Sequence, residues 1–234
     1  MARWHWRDER SVSYNNFMHP LRVKICGVTS PADVTACAAA GADAVGINFH
    51  PASPRYVDPK QSQPLLRSIP PLMAGVGVFV GLPFRQISAM SYQLGLRTIQ
   101  FHGENRETID AFPFSLVVAV RVRDRNNLRE IDNYLDTCRA AGQLPAAILV
   151  DAFVEGKEGG TGQTAPWDIV AEYKPRVPMI LAGGLTPENV AEAIRVVRPD
   201  GVDVASGVEV TPRRKDPDKV RRFVANAREA AAKL

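Results

Sequence analysis

The sequence predicts an α/β protein whose eight parallel strands close into a (β/α)8 barrel. Three observations support this fold: short apolar runs rich in β-branched residues recur along the chain, amphipathic segments separate them, and the runs number eight within 234 residues. Strands that alternate with helices are typical of a wholly parallel sheet. Eight such units in a chain of this length fit a closed barrel, whereas an open sheet more often has about five or six strands.

The predicted strands are the apolar runs, each short enough for a strand that is buried on both faces. In chain order they are Leu21–Ile25, Ala44–Phe49, Ala74–Val80, Thr98–Phe101, Leu116–Val122, Ala147–Val150, Met179–Ala182 and Gly201–Ala205. The amphipathic segments between them predict helices, among them Pro31–Ala40, Pro83–Leu94, Asn126–Ala140, Pro187–Val197 and Pro217–Lys233. Ser30-Pro31 and Thr186-Pro187 each place a capping hydroxyl before a proline, a pattern typical of a helix start.

We expect residues 21–234 to form one catalytic domain, because 45% hydrophobic residues suffice for a single large core. Residues 1–20 fall outside the barrel pattern and are expected to form a flexible N-terminal extension, with Met18 as an alternative start. This extension lacks the apolar segment of a signal peptide. No apolar run reaches the roughly 18 residues needed to cross a bilayer, so we expect no membrane association. Three scattered cysteines, Cys26, Cys37 and Cys138, predict a reduced, cytoplasmic protein.

The charge distribution argues against a nucleic-acid partner. The formal net charge is +4, and the only dense basic run is Arg213-Arg214-Lys215. A nucleic-acid-binding protein usually concentrates its basic residues on one face or tail, and here the other basic residues alternate with acidic ones. We interpret this modest basic excess as a solvated surface. The modest positive excess is also compatible with attraction of small anions.

Glycines follow the last two predicted strands, where many barrels bind phosphate. Gly183 and Gly184 come directly after the seventh strand, and Ser206 and Gly207 come after the eighth. Glycine lets the backbone approach an oxyanion closely, with its N–H groups as donors. Gly183-Gly184 is also compatible with a simple tight turn, but glycines in both loops favour a phosphate site.

Side-chain alternation predicts which residues of the first and eighth strands point into the barrel. If Val23 and Ile25 face the helices, Lys24 faces the interior, and the same count turns Asp203 inward. The first and eighth strands are neighbours in a closed barrel, so Lys24 and Asp203 can pair. A buried lysine needs such a partner, and a purely structural ion pair remains as good an interpretation as a catalytic one.

The same alternation turns Cys26 and Asp151 towards the mouth of the barrel, at the ends of the first and sixth strands. These strands lie roughly opposite each other, so a thiol and a carboxyl group can flank a small substrate. That arrangement suits a general base facing a general acid. Each residue alone is compatible with a structural role, Cys26 as a small buried side chain and Asp151 as a hydrogen-bonding residue of the rim.

Several motifs together resemble one family, phosphoribosylanthranilate isomerase of tryptophan biosynthesis, over about residues 22–230. They are Val23-Lys-Ile-Cys-Gly-Val-Thr29, Asp33, Gly41-Ala-Asp-Ala-Val-Gly46, Ser53-Pro-Arg-Tyr56, Gly75-Val-Gly-Val-Phe-Val80, Gln100-Phe-His-Gly103, Gly159-Gly-Thr-Gly162, Gly183-Gly-Leu-Thr-Pro-Glu-Asn-Val190 and Gly201-Val-Asp-Val-Ala-Ser-Gly-Val-Glu209. The resemblance implies a TIM barrel and an Amadori rearrangement that converts a phosphoribosyl aminobenzoate into its 1-deoxyribulose isomer.

The resemblance also implies a role for each site residue. Cys26 would be the general base and Asp151 the general acid. Arg55 would bind the carboxylate of the anthranilate, while His102 and Asp203 would line the site. The loops with Gly183 and Gly184 and with Ser206 and Gly207 would bind the phosphate.

We expect no cofactor and no metal, because no Gly-x-Gly-x-x-Gly follows the first strand and no ligand cluster stands out. The expected partner is a small phosphorylated substrate, and the chain is expected to be a monomer or a homodimer. The nearest alternative is the ribonucleotide isomerase of histidine biosynthesis, whose family uses opposed carboxylates and two phosphate sites. Two features disfavour this alternative: the first strand ends in Cys26, and only the C-terminal half has phosphate-like loops. Cys26 with Asp151 disfavours a non-catalytic phosphate-binding barrel, and the lack of an aromatic platform disfavours a nucleic-acid module.

Overall fold

The computed structural model describes residues 20–103, 112–152 and 167–234 and contains a closed barrel of eight parallel strands. The strands are β1 (Arg22–Cys26), β2 (Ala44–Asn48), β3 (Ala74–Val80), β4 (Thr98–His102), β5 (Ser115–Arg121), β6 (Ala147–Asp151), β7 (Met179–Ala182) and β8 (Gly201–Val204). β1 pairs with both β2 and β8, which closes the barrel. The predicted fold is confirmed, and each predicted strand boundary lies within one residue of the observed one.

Helices follow the strands along the described chain. They are α1 (Pro31–Ala39), α2 (Gln63–Arg67), α3 (Phe84–Leu94), α4 (Arg125–Ala140), α5 (Trp167–Ala171), α6 (Val190–Val197) and α7 (Pro217–Ala231), with short 3-10 helices at Pro59–Gln61 and Ser206–Val208. An antiparallel hairpin of β9 (Glu209–Thr211) and β10 (Arg214–Lys215) lies between β8 and α7. None of the helices in these ranges has the length and apolar character needed to cross a membrane.

Helix starts follow the capping chemistry, with one correction. At α1, the Ser30 hydroxyl accepts a hydrogen bond from Asp33, whose carboxylate caps Ser30 in return. The Thr186-Pro187 prediction is wrong by three residues, because α6 begins at Val190. The side chain of Asn189 bonds the backbone N–H of Thr186 and the carbonyl of Gly184, which closes a turn where the helix was expected.

The strands bury both faces, in two separate layers. Residues such as Val23, Ile25, Ile148 and Val150 belong to the main hydrophobic core. Leu149 and its neighbours Val117, Ala119, Ala147 and Ala182 form a second, smaller cluster inside the barrel. Because side chains alternate along a strand, this division identifies Lys24, Cys26, Asp151 and Asp203 as facing inward, as the sequence predicts.

Candidate active site

Lys24 and Asp203 form a buried ion pair across the junction of β1 and β8. Lys24 is in register with Asp203, and its Nζ lies 2.8 Å from Asp203 Oδ1. Their side chains are 8% and 9% exposed. Burial alone would lower the pKa of Lys24, but the charge and hydrogen bond of Asp203, together with Cys26, raise it above its usual value. The inward pairing that alternation predicts is therefore present.

Cys26 lies at the end of β1, two residues beyond Lys24 and partly exposed. Gly46 of the neighbouring strand makes room for both side chains: a Cβ at Gly46 would lie 2.8 Å from the Cys26 Sγ and 3.1 Å from the Lys24 Nζ. Burial raises the pKa of the thiol, and Lys24 opposes this. Lys24 thus favours the thiolate, but burial has the larger effect, so the pKa of Cys26 lies above its ordinary value.

His102 contributes a neutral imidazole to the same interior. It ends β4, and its Nε2 lies 2.7 Å from the amide nitrogen of Gln100. Since an amide nitrogen only donates, the ring accepts through Nε2. Burial, followed by the charge of Lys24, lowers the pKa of His102 to about 4. An uncharged ring adds no further positive charge beside the ammonium of Lys24.

Asp151 ends β6, nearly opposite β1 in the order of the barrel. Its carbonyl accepts a hydrogen bond from the backbone of Val122, and the N–H of Ala152 donates to the carbonyl of Ala182. These bonds hold the end of β6 between its two neighbours. Asp151 is partly exposed at the mouth of the barrel.

Arg55 is held by an acidic partner that the sequence did not predict. Its Nε and Nη2 donate to the two carboxylate oxygens of Glu209, at 2.7 and 2.6 Å. Its stem lies against Gly27, where a Cβ would approach the Arg55 Cδ to 2.3 Å. The guanidinium is therefore anchored one residue beyond Cys26. Glu209 closes the last motif of the resemblance, and that position was the only signal that pointed to it.

The basic run at residues 213–215 divides between surface and interior, since Arg213 and Arg214 are exposed whereas Lys215 is buried. The Lys215 side chain is fully buried, and its Nζ bonds Glu209 Oε1 and the carbonyl of Ala205, each at 3.0 Å. Arg213 donates to the carbonyl of Tyr56 at 2.8 Å. The β9–β10 hairpin folds these cations onto the rim of the barrel, an arrangement that linear charge density does not reveal.

The two glycine-bearing loops are packed against each other. Gly183 and Gly184 have φ values of 93° and 62°, which favour glycine. A Cβ at Gly207 would lie 2.0 Å from the carbonyl oxygen of Leu185, so no side chain fits there. Gly184 and Ser206 are exposed. Within residues 20–103, 112–152 and 167–234, no acceptor takes up the backbone N–H groups of Gly183 and Gly184.

Two further observations delimit the site. A cavity of about 420 Å3 lies at the opposite end of β5 and β6, lined by residues such as Phe114, Tyr134 and Leu144, and it contains none of the predicted site residues. Among the residues that the structure describes, no three His, Cys, Asp or Glu side chains come together as a metal site. The Gly159–Gly162 motif and nearly all of the N-terminal extension lie outside the described residues.

The sequence matches the family model described as "N-(5'phosphoribosyl)anthranilate (PRA) isomerase" over residues 23–226. It is 42% identical over 214 residues to the N-(5'-phosphoribosyl)anthranilate isomerase of Geotalea daltonii, covering 91% of this chain and 99% of the relative. The corresponding protein of Geobacter sulfurreducens is 43% identical over 209 residues, covering 89% and 98%.

Solved structures give the same result. The phosphoribosyl anthranilate isomerase of Thermotoga maritima superposes with a TM-score of 0.76 at 35% identity, covering 89% of this chain and 99% of that one. A crystal structure of phosphoribosyl anthranilate isomerase in complex with reduced 1-(o-carboxyphenylamino)-1-deoxyribulose 5-phosphate superposes with a TM-score of 0.74 at 33% identity, with the same coverage.

Proposed function

The chain belongs to the N-(5'-phosphoribosyl)anthranilate isomerase family and is an isomerase, and we propose that Cys26 and Asp151 are its general base and general acid. Its substrate is N-(5-phosphoribosyl)anthranilate of tryptophan biosynthesis, and its product is 1-(2-carboxyphenylamino)-1-deoxyribulose 5-phosphate. The observation that carries this proposal is the pair of inward-facing strand ends, Cys26 on β1 and Asp151 on β6, in a barrel of this family.

The reaction moves hydrogen within one molecule and needs two positioned proton-transfer groups. Asp151 protonates the furanose ring oxygen, the bond from this oxygen to C1 breaks, and the nitrogen lone pair forms a Schiff base. Cys26 then removes the proton from C2, and the electrons of that C–H bond neutralise the iminium to give an enolamine. Tautomerisation of the enolamine to the ketone completes the aldose-to-ketose conversion without net oxidation. A base and an acid on opposite sides of the substrate match this sequence.

Arg55 is the proposed site for the carboxylate of the anthranilate. Glu209 uses the Nε and Nη2 side of the guanidinium, and Nη1 makes no hydrogen bond with any other described residue. The side chain is 20% exposed. A guanidinium edge of two parallel N–H groups matches a carboxylate, so a second carboxylate can bind at the free edge.

The loops after β7 and β8 are the proposed phosphate site. The free N–H groups of Gly183 and Gly184 and the exposed backbone around Ser206 and Gly207 provide donors for an oxyanion. Neutral His102 and ion-paired Asp203 line the interior below the substrate. The chain is proposed to act as a monomer or a homodimer, and the Thermotoga maritima relative has been described as dimeric.

The experiment is a direct assay. Purified protein is added to freshly prepared phosphoribosylanthranilate, loss of substrate fluorescence is followed, and the ketose product is identified by mass spectrometry and NMR. An enzyme-free blank and the Cys26→Ala variant serve as controls. We expect turnover by the wild type alone, and none with the aminoaldose ribonucleotide of histidine biosynthesis. No turnover above the blank would refute the proposed function.

A further inference from the structure

The contact between Arg55 and Glu209 fixes the orientation of the guanidinium group. Both acidic oxygens of Glu209 are engaged by two neighbouring nitrogens of Arg55, at 2.7 and 2.6 Å. The Glu209 side chain is only 5% exposed. A two-point contact fixes the plane of the guanidinium as well as its position. A ligand that binds the remaining edge therefore does not have to order this side chain.

Lys215 changes the charge of this arrangement. Its fully buried ammonium lies 3.0 Å from Oε1 of Glu209. Arg55 and Glu209 alone would be a complete, neutral pair. The side chains of Arg55, Lys215 and Glu209 instead carry a net charge of +1. Two neighbours add charges of opposite sign that cancel: Asp33, which accepts a hydrogen bond from the backbone N–H of Lys215 at 3.2 Å, and Lys219. Burying a third charge carries a desolvation cost, which Lys215 offsets through its hydrogen bonds to Glu209 and to the carbonyl of Ala205.

Glu209 is ionised in this arrangement. Burial alone would raise the pKa of its carboxyl group, but the hydrogen bonds and charges of Arg55 and Lys215 hold the pKa below its usual value. The carbonyl of Glu209 also accepts a hydrogen bond from Lys219, at 2.9 Å. The backbone and the side chain of Glu209 are thus both fixed on the hairpin.

We propose that Glu209 and Lys215 are positioning residues for substrate recognition: Glu209 orients the guanidinium of Arg55, and Lys215 keeps the group net positive so that it binds the carboxylate of the substrate. This inference rests on the proposed role of Arg55 in carboxylate binding. The β9–β10 hairpin then acts on substrate recognition through Arg55.

Two variants separate orientation from charge. Lys215→Met keeps the contact between Arg55 and Glu209 but makes the group neutral. The double variant Glu209→Gln/Lys215→Met keeps a net charge of +1, carried by Arg55, but removes the carboxylate that orients it. Lys215→Gln is a second neutral variant if Lys215→Met does not fold. Asp43→Asn is the matched control, because it disrupts a partly buried ion pair with Arg228 far from the site.

The measurement compares two ligands by calorimetry: reduced 1-(o-carboxyphenylamino)-1-deoxyribulose 5-phosphate and the same compound without its carboxyl group. The ratio of their Kd values is the carboxylate preference. We expect this preference to fall roughly tenfold or more in Lys215→Met and in Glu209→Gln/Lys215→Met, the scale of one charged contact. The Kd of the ligand without the carboxyl group and the preference of Asp43→Asn should stay at wild-type values.

The outcomes distinguish this inference from the proposed function. An unchanged preference in Arg55→Ala would show that Arg55 is not the carboxylate site. Loss of the preference in Arg55→Ala, with a wild-type preference in Lys215→Met or in Glu209→Gln/Lys215→Met, would overturn the positioning role and leave the Arg55 assignment intact. Equal weakening of both ligands would also overturn it, because a merely structural contact would not discriminate between them.

Discussion

The ammonium of Lys24 on β1 donates a 2.8 Å hydrogen bond to the carboxylate of Asp203 on β8, at the position where the barrel closes. The two residues face each other in register although 179 positions separate them in sequence. The pair is buried, and Gly46 opens space for the Lys24 ammonium next to the sulfur of Cys26. Each partner therefore supplies the counter-charge that the other needs when buried, and the ammonium lies beside the proposed base.

Lys24→Met should destabilise the protein, because it leaves Asp203 as an unpaired buried carboxylate. We expect the free energy of unfolding to fall by about 3–5 kcal/mol, the scale for losing one partner of a buried pair. Urea denaturation measures this change. The double variant Lys24→Met/Asp203→Asn should recover most of the loss. Because Lys24 lowers the pKa of Cys26, the pH profile of kcat/KM of this double variant should lie at higher pH than that of the wild type. If the two profiles coincide, the ion pair is purely structural.

Cys26→Ser should abolish nearly all activity, because a serine hydroxyl is a far weaker base than a thiolate. The expected loss in kcat is roughly 10²–10⁴, the usual contribution of a general base. Since burial raises the pKa of Cys26, the thiolate fraction increases about tenfold per pH unit below that pKa. Wild-type kcat/KM should therefore rise with pH through the neutral range and into the alkaline range. More than about a tenth of wild-type kcat in both Cys26→Ser and Cys26→Ala would contradict the mechanism.

Asp151→Asn should also be severely impaired in kcat, by roughly 10²–10⁴, because an amide cannot protonate the ring oxygen. The variant keeps the size of the side chain, so binding of the reduced product analogue should stay close to wild type. Single-turnover kinetics and calorimetry measure the two quantities separately. Parallel losses in catalysis and binding would assign Asp151 a structural role instead.

Gly207→Ala should weaken phosphate binding, because the new Cβ would lie 2.0 Å from the Leu185 carbonyl and force the two loops apart. The overpacking should cost about 1–3 kcal/mol in stability. Because the two loops form the proposed phosphate site, the Ki of inorganic phosphate as a competitive inhibitor should also rise in this variant. Gly142→Ala is a suitable control, since its φ of 70° makes it a strained position in open space outside the site. Equal Ki values for Gly207→Ala and the wild type would place the phosphate elsewhere, for instance on Arg213 and Arg214.

Deletion of Met1–Asn16 should leave fold and activity intact, because β1 begins only at Arg22 and the family match only at Val23. Circular dichroism, thermal denaturation and the fluorescence assay test the truncated protein. A loss of soluble protein would show that this extension, through residues such as Trp4 and Trp6, contributes to the barrel.

The strands and the inward-facing residues were predictable from local pattern. Apolar runs bounded by glycine and proline mark strands, and the two-residue period then fixes which side chains share a face. This reasoning correctly turned Lys24 and Asp203 towards each other and placed Cys26 at a strand end. It was less accurate at α6, where the side chain of Asn189 forms a turn that delays the helix.

By itself, the sequence thus determined the barrel, its register of inward and outward faces, and the strand ends that carry the proposed acid and base. Only the tertiary structure decided how Arg55 is held, because its partner Glu209 is 154 residues away. It also decided that Lys215 is buried although it belongs to a dense basic run. The physical reason is that periodicity fixes the face on which a side chain lies, whereas closure of the barrel and the fold of the β9–β10 hairpin determine which distant charges meet.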